Sequence, residues 1–288
     1  MRAVMVYWLV TTQHLVGGLW FQDREDYVVG MNLVPVAAGK NSVSILSFVL
    51  MSNHVHFVLK GEEVPVRAFI NLYKNLYSRY YGRKYDRREY LRNVQAQVQP
   101  LAPGDESIER SLAYVVMNPV AAGICLYPTQ YPWGSGTTLF SERPHTGVRP
   151  LGELSQEAQR KILHSREALP GHYLLTDEGY IHPSSYVEGA EVFFRTPKRL
   201  HYFLMSSSKA RSRSAQAGLP GFRDQTLNAS IQDLCRSLFQ KETVEELSLD
   251  ECTELLRQLK RRFGADTAQL SRVSGISPAE VETLLDRP

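Results

Sequence analysis

The sequence predicts an α+β fold: a four-stranded antiparallel sheet with helices packed on it, followed by a mostly helical C-terminal extension. Three observations carry this. Residues 4–12 (VMVYWLVTT) form a run rich in β-branched and aromatic side chains, as a core strand requires. Two further apolar runs, 42–51 and 54–59, flank Ser52-Asn53 as the arms of a tight hairpin would. Helical spacing then appears at 66–81 and again at 106–117. The resulting order, β-α-β-β-α-β-α, is most simply arranged as in ferredoxin-like and RRM-like folds.

Each element has its own signal. A helix is expected from Arg24 to about Ala38, although Gly30 and Pro35 both oppose it. Gly39-Lys40-Asn41 reads as a turn. Within 66–81, Val66, Phe69, Ile70, Tyr73, Leu76, Tyr77 and Tyr80 share one helix face, while Arg67, Asn71, Lys74, Ser78 and Arg79 share the other. Val94, Ala96 and Val98 alternate with Gln95, Gln97 and Gln99, the period-two pattern of a half-buried strand. Pro100 to Asp105 is expected as a loop. Glu106 to Met117 then places Ile108, Leu112 and Val115/Val116 on one face of a helix.

The character changes after residue 143. Residues 144–225 show scattered Pro and Gly and a Ser/Arg-rich stretch, SSSKARSRS at 206–214, expected as an irregular connecting region with a flexible linker. Residues 226–288 read as a helical module. Its end, Thr267 to Leu285, spaces Leu270, Val273, Ile276, Val281 and Leu284 around Gly275 like a helix–turn–helix.

Composition is that of an ordinary globular protein, with 43% hydrophobic and 22% charged residues. A net charge of +3 is too mild to argue for nucleic acid by itself, so local basic clusters matter more. The three cysteines (Cys125, Cys235, Cys252) are far apart and odd in number, with no CxxC spacing, which suits a reducing cytoplasm and gives no sign of a disulfide framework or a zinc site. The apolar run from Ala3 to Val10 stops at Gln13 and His14, short of a membrane span, and reads as a buried first strand. A cytoplasmic protein without membrane association is expected.

Two groups of residues carry chemistry. His54 and His56 lie two apart on a predicted strand, so both imidazoles point to one face and can reach one ion, while Val55, Phe57 and Leu59 face the core. The plainer alternative is a pair of strand histidines with local hydrogen bonds. Tyr114 and Asn118 are one helical turn apart, which brings an amide near the phenol. Here the alternative is a core tyrosine followed by a helix cap and a first-turn proline, Pro119. The remaining histidines, among them His14, His145 and His164, have no ligand spacing and are expected to be structural or exposed.

Taken together, these motifs resemble a known family. Met51-Ser52-Asn53-His54-Val55-His56, then Tyr114 to Gly123 (Tyr-x-x-x-Asn-Pro-Val-x-x-Gly), then Tyr131-Pro132-Trp133, are similar in order to the HUH single-tyrosine transposases. The REP-associated tyrosine transposases are the nearest branch. The resemblance covers roughly residues 1–140 and implies a catalytic domain over 1–143. It implies Tyr114 as nucleophile, His54 and His56 as metal ligands, and Asn118 as a third polar ligand. The implied cofactor is Mg²⁺ or Mn²⁺, and the implied reaction cleaves and rejoins DNA through a 5′-phosphotyrosine. Gly134-Ser135 departs from the paired serines of many relatives. The implied partner is single-stranded or hairpin DNA, and a homodimer is compatible with the family. Lys74, Arg79, Arg83, Lys84, Arg87 and Arg88 are candidate phosphate contacts, as are Lys209, Arg211 and Arg213. The alternative function is a domesticated, sequence- or hairpin-specific DNA-binding protein of the same fold without transposition activity.

Overall fold

The computed structural model describes residues 6–15, 18–87, 90–91, 93–141, 146–187, 189–207 and 222–286. Arg88, Arg92, His145, Lys209, Arg211, Arg213 and most of the Ser/Arg-rich stretch lie outside the described residues.

The sheet is built from β1 (Val6–Thr12), β2 (Ser44–Met51), β3 (His54–Gly61) and β4 (Ala96–Leu101), in the order β2-β3-β1-β4 with every pair antiparallel. β2 and β3 turn tightly at Ser52-Asn53, and Met51 pairs with His54. Pro100 belongs to β4, opposite Trp8, and is not the start of a loop. β4 is an edge strand, where a residue without an N–H is tolerated.

Two long helices cover one face. α1 (Arg24–Asn41) starts at a capping box between Asp23 and Asp26 and runs through Pro35 and the expected Gly39-Lys40-Asn41 turn. Its burial overrides the two local breakers: Met31, Leu33, Val34, Pro35 and Val36 are all enclosed. α2 (Glu63–Tyr85) lies beside it and directs Phe69 and Tyr73 onto Phe57 of β3. Strand alternation therefore turns His54 and His56 to the opposite face. That face is covered by α3 (Ser107–Val116) and the short α4 (Asn118–Ala121).

Beyond residue 147 the expected irregular region holds short elements that share the main core: β5 (Val148–Pro150), α5 (Gln156–Leu163), β6 (Leu174–Thr176), α6 (Glu191–Phe194) and α7 (Pro197–Ser206). None exceeds ten residues, too short for a clear period. Asn32, fully buried in α1, anchors this segment by accepting from the Ile181 amide and donating to the carbonyls of Ile162 and Gly179.

The C-terminal module has its own core of Leu227, Ile231, Leu255, Leu256, Leu259, Leu270, Val281 and neighbours. It comprises α8 (Asp224–Leu234), α9 (Leu249–Phe263), α10 (Thr267–Ser274) and α11 (Pro278–Leu285). Gly275 ends α10 with φ +78°, a left-handed conformation that glycine adopts without strain.

Candidate active site

His54 is the first residue of β3 and His56 the third, and both side chains are almost fully enclosed. Their ring centroids lie 4.7 Å apart with the planes at 89°. Asn53 fixes the first ring. Its Nδ2 donates to the Leu15 carbonyl (3.3 Å), which leaves Oδ1 as the acceptor 2.8 Å from His54 Nδ1. In the neutral ring this places the proton of His54 on Nδ1 and leaves Nε2 with the lone pair suited to coordination.

Tyr114 comes from α3 on the same side of the sheet. Its ring meets His56 edge-on at 5.5 Å and 89°, so a helix and a strand distant in sequence deliver both candidate groups to one place. The phenol is half-buried, and desolvation raises its pKa above the ordinary tyrosine value. It is therefore neutral near pH 7 and depends on a nearby positive charge to become a nucleophile.

Asn118 opens α4 and is buried. Its Nδ2 donates to the carbonyls of Tyr114 (2.9 Å) and Val115 (3.2 Å), closing the end of α3. The amide oxygen is the function left for a ligand role. Asn118 thus caps the helix that carries Tyr114 and lies one turn from it.

The Tyr131-Pro132-Trp133 motif is structural. The Tyr131 hydroxyl donates to the Leu50 carbonyl (2.7 Å), and Trp133 stacks on Tyr27 at 4.8 Å. The following residues seal the free edge of β2, where Val49 bridges Gly134 and the Ser135 hydroxyl accepts from the Phe48 amide. A Cβ at Gly134 would stand 2.7 Å from the Phe48 carbonyl oxygen. A serine there would force the edge apart, which accounts for Gly134-Ser135 in this chain.

The basic candidates separate. Asn71, Lys74, Asn75, Ser78, Arg79, Gly82, Arg83 and His164 line a groove on the outer flank of α2, across the sheet from His54 and His56. Lys74 Nζ donates to the Val94 carbonyl (2.7 Å), and burial lowers its pKa. Arg79 and Arg83 are exposed. Lys84 is placed otherwise than a phosphate contact requires. It sits within 2.9 Å of Asp23, Glu25 and Asp26, which takes up its charge inside the fold. Arg87 reaches Glu245 of the C-terminal module at 3.7 Å. Tyr80 and Tyr81 are buried.

Spacing did not point to His14, which follows β1. Its ring lies parallel to that of His54, at 3.7 Å and 12°. Among the described residues, no group of three or more His, Cys, Asp or Glu side chains is placed to hold a metal ion. A two-imidazole, one-amide set is therefore the donor set to consider.

Comparison with known families gives a match over part of the chain. Residues 26–96 match the family model described as "Transposase IS200 like". The matched stretch runs from α1 to the start of β4, so it includes His54 and His56 and stops before Tyr114. This similarity agrees with the antiparallel sheet and supports a DNA-processing function of the transposase kind. No curated protein and no solved structure matches the chain. Among the described residues, no helix is long and apolar enough to cross a membrane.

Proposed function

We propose that this protein cleaves and rejoins single-stranded or hairpin DNA, with Tyr114 as nucleophile and a divalent cation held by His54, His56 and Asn118. The observation that carries this reading is the edge-on approach of Tyr114 to His56, beside His54, on one face of the sheet. Two enclosed imidazoles and an amide suit Mg²⁺ or Mn²⁺ when water and phosphate oxygens complete the shell. Such an ion would offset charge on a non-bridging phosphate oxygen and favour ionisation of the phenol.

The chain's own part follows from its geometry. Asn53 holds His54 in one tautomer, and Asn118 holds the end of α3 so that Tyr114 stays over the site. In the cleavage step the Tyr114 oxygen–phosphorus bond forms as the phosphorus–3′-oxygen bond breaks. The phenol proton is released, and the departing 3′-oxygen takes one up. The product is a 5′-phosphotyrosine with a free 3′-hydroxyl, which can attack in reverse to rejoin the strand. Arg79 and Arg83, in the groove behind α2, are proposed to contact phosphates away from the reacting bond.

The test is trapping of the adduct. With Mn²⁺ and hairpin DNA from the flanks of its own gene, the protein should form an SDS-resistant complex. Tyr114→Phe should abolish the complex and leave DNA affinity nearly unchanged. An adduct that survives Tyr114→Phe overturns the assignment. DNA binding with no adduct in the unaltered protein supports the DNA-binding alternative.

A further inference from the structure

His14 belongs to no motif, yet it lies flat against one of the two histidines proposed to hold the cation. β1 ends at Thr12, and Thr11 pairs with His56, so the chain leaving β1 passes directly beside His54. There the His14 ring stacks on the His54 ring at 3.7 Å and 12°. The next residue holds the same place through its backbone: the Leu15 amide donates to the Asn53 carbonyl (3.0 Å), and the Leu15 carbonyl accepts from Asn53 Nδ2. Asn53 in turn faces His54 Nδ1. Residues 14 and 15 therefore grip His54 twice, once on its face and once through its hydrogen-bonding partner.

We infer that His14 is a positioning residue for His54, preventing the ring flip that would exchange Nδ1 and Nε2 at the site. The inference rests on the ligand role proposed above for His54. A ligand role for His14 itself fits the geometry less well. Two parallel stacked rings carry their in-plane lone pairs side by side, whereas His54 and His56, at 89°, can converge. His14 is exposed and His54 is enclosed, so the outer ring also serves as the lid of the inner one. Hydrogen-bonding partners that orient a metal-binding imidazole are commonly worth about 10- to 100-fold in metal affinity, and a stacked ring that fixes the same imidazole is expected at the lower end of that range.

The experiment is a Mn²⁺ titration of the full chain, read as free Mn²⁺ by electron paramagnetic resonance, with thermal melts to verify folding. His56→Ala should remove binding, and His14→Ala should weaken it about tenfold or more. His14→Phe keeps a flat ring but no ligand atom, and should recover most of the lost affinity. Unchanged affinity in His14→Ala overturns the inference. So does a His14→Phe protein as weak as His14→Ala, which would make His14 a ligand. Failure of the unaltered protein to bind Mn²⁺ takes down the proposed function instead. The His54 ring in the metal-free protein, followed by long-range ¹H–¹⁵N spectra, then decides about His14. One tautomer in the unaltered and His14→Phe proteins, with a mixture in His14→Ala, sustains the positioning role. Identical spectra in all three overturn it.

Discussion

The Ser52 hydroxyl donates to the buried carboxylate of Asp224, joining the turn before His54 to the first residue of α8 across 172 residues of chain. The same carboxylate accepts from Gln269 Nε2 (2.9 Å) and Arg272 Nε (3.0 Å) of α10. Gln225 adds a bond to the Phe21 carbonyl (2.9 Å) and another to the Tyr27 hydroxyl (3.1 Å). The helical module is thus fastened to the loop that positions the candidate ligands.

Removing that carboxylate should loosen the module. Asp224→Ala leaves Arg272 without its ion pair and Ser52 without an acceptor, and should cost about 2–4 kcal/mol. Ser52→Ala removes one charge-assisted hydrogen bond and should cost about 1–2 kcal/mol. Denaturant melts should show an early transition for Asp224→Ala, with the sheet domain unfolding later. A single transition at the original midpoint would mean that this carboxylate does not hold the module in place.

Lys84 should behave as a structural residue and Arg79 and Arg83 as surface ones. Lys84→Met leaves the fully enclosed Asp26 without its cation and should cost about 2–4 kcal/mol. Burial alone would raise the Asp23 pKa, but the Lys84 hydrogen bond and charge hold it below the usual carboxylate range. Its stabilising share is therefore present above about pH 4 and fades as pH falls further. Lys84 itself is raised, so its share is present below about pH 10.5 and fades only above that. Replacing Arg79 and Arg83 with Gln should leave the melt unchanged while weakening DNA binding and reducing its salt dependence. Equal loss of stability from both changes would contradict this division.

Much of this arrangement was legible in the sequence because it depends on periodicity. The Ser52-Asn53 turn, the alternation that sets His54 and His56 apart from Val55 and Phe57, and the apolar face of α2 are all local patterns. Partner identity was not legible. Nothing in the spacing around Lys84 announces Asp23 and Asp26, which reach it from the cap and first turn of α1. His14 is likewise placed by strand pairing, not by distance along the chain. Asn118 shows a third case. Its spacing from Tyr114 suggested an amide near the phenol, and its Nδ2 in fact closes the helix end at the Tyr114 carbonyl. Pro35 misleads in the opposite direction, since a local breaker is overruled by tertiary burial.

Ionisation of Tyr114 should govern the cleavage rate. A free tyrosine is ionised to about one part in a thousand at pH 7, and burial raises the pKa of this one further. The attacking phenolate therefore gains about tenfold per pH unit across the neutral range. Single-turnover adduct formation with Mn²⁺ should rise with that slope from about pH 6 to pH 8. A flat profile over this range would show that loss of the phenol proton does not limit the reaction.

The basic end of α9 should contact DNA that flanks the cleaved hairpin. Lys260, Arg261 and Arg262 occupy its last turn and are exposed, ahead of the helix pair α10 and α11. Cations at a helix C-terminus also stabilise the helix itself, by about 0.3–1 kcal/mol each, so their presence alone does not argue for DNA. Two observations make α9 a better candidate than α11. α11 carries Glu280 and Glu282, which repel a phosphate backbone, and Arg272 of α10 is engaged with Asp224. Lys260→Gln, Arg261→Gln and Arg262→Gln together should therefore lower affinity for long flanking DNA. They should also reduce the slope of log affinity against log salt by about one for each phosphate that is no longer neutralised. Adduct formation on a short hairpin should be unchanged, because these residues lie in the separate helical module and not beside His54. An unaltered salt slope with a slightly lower melting temperature would assign the three cations to the helix end alone.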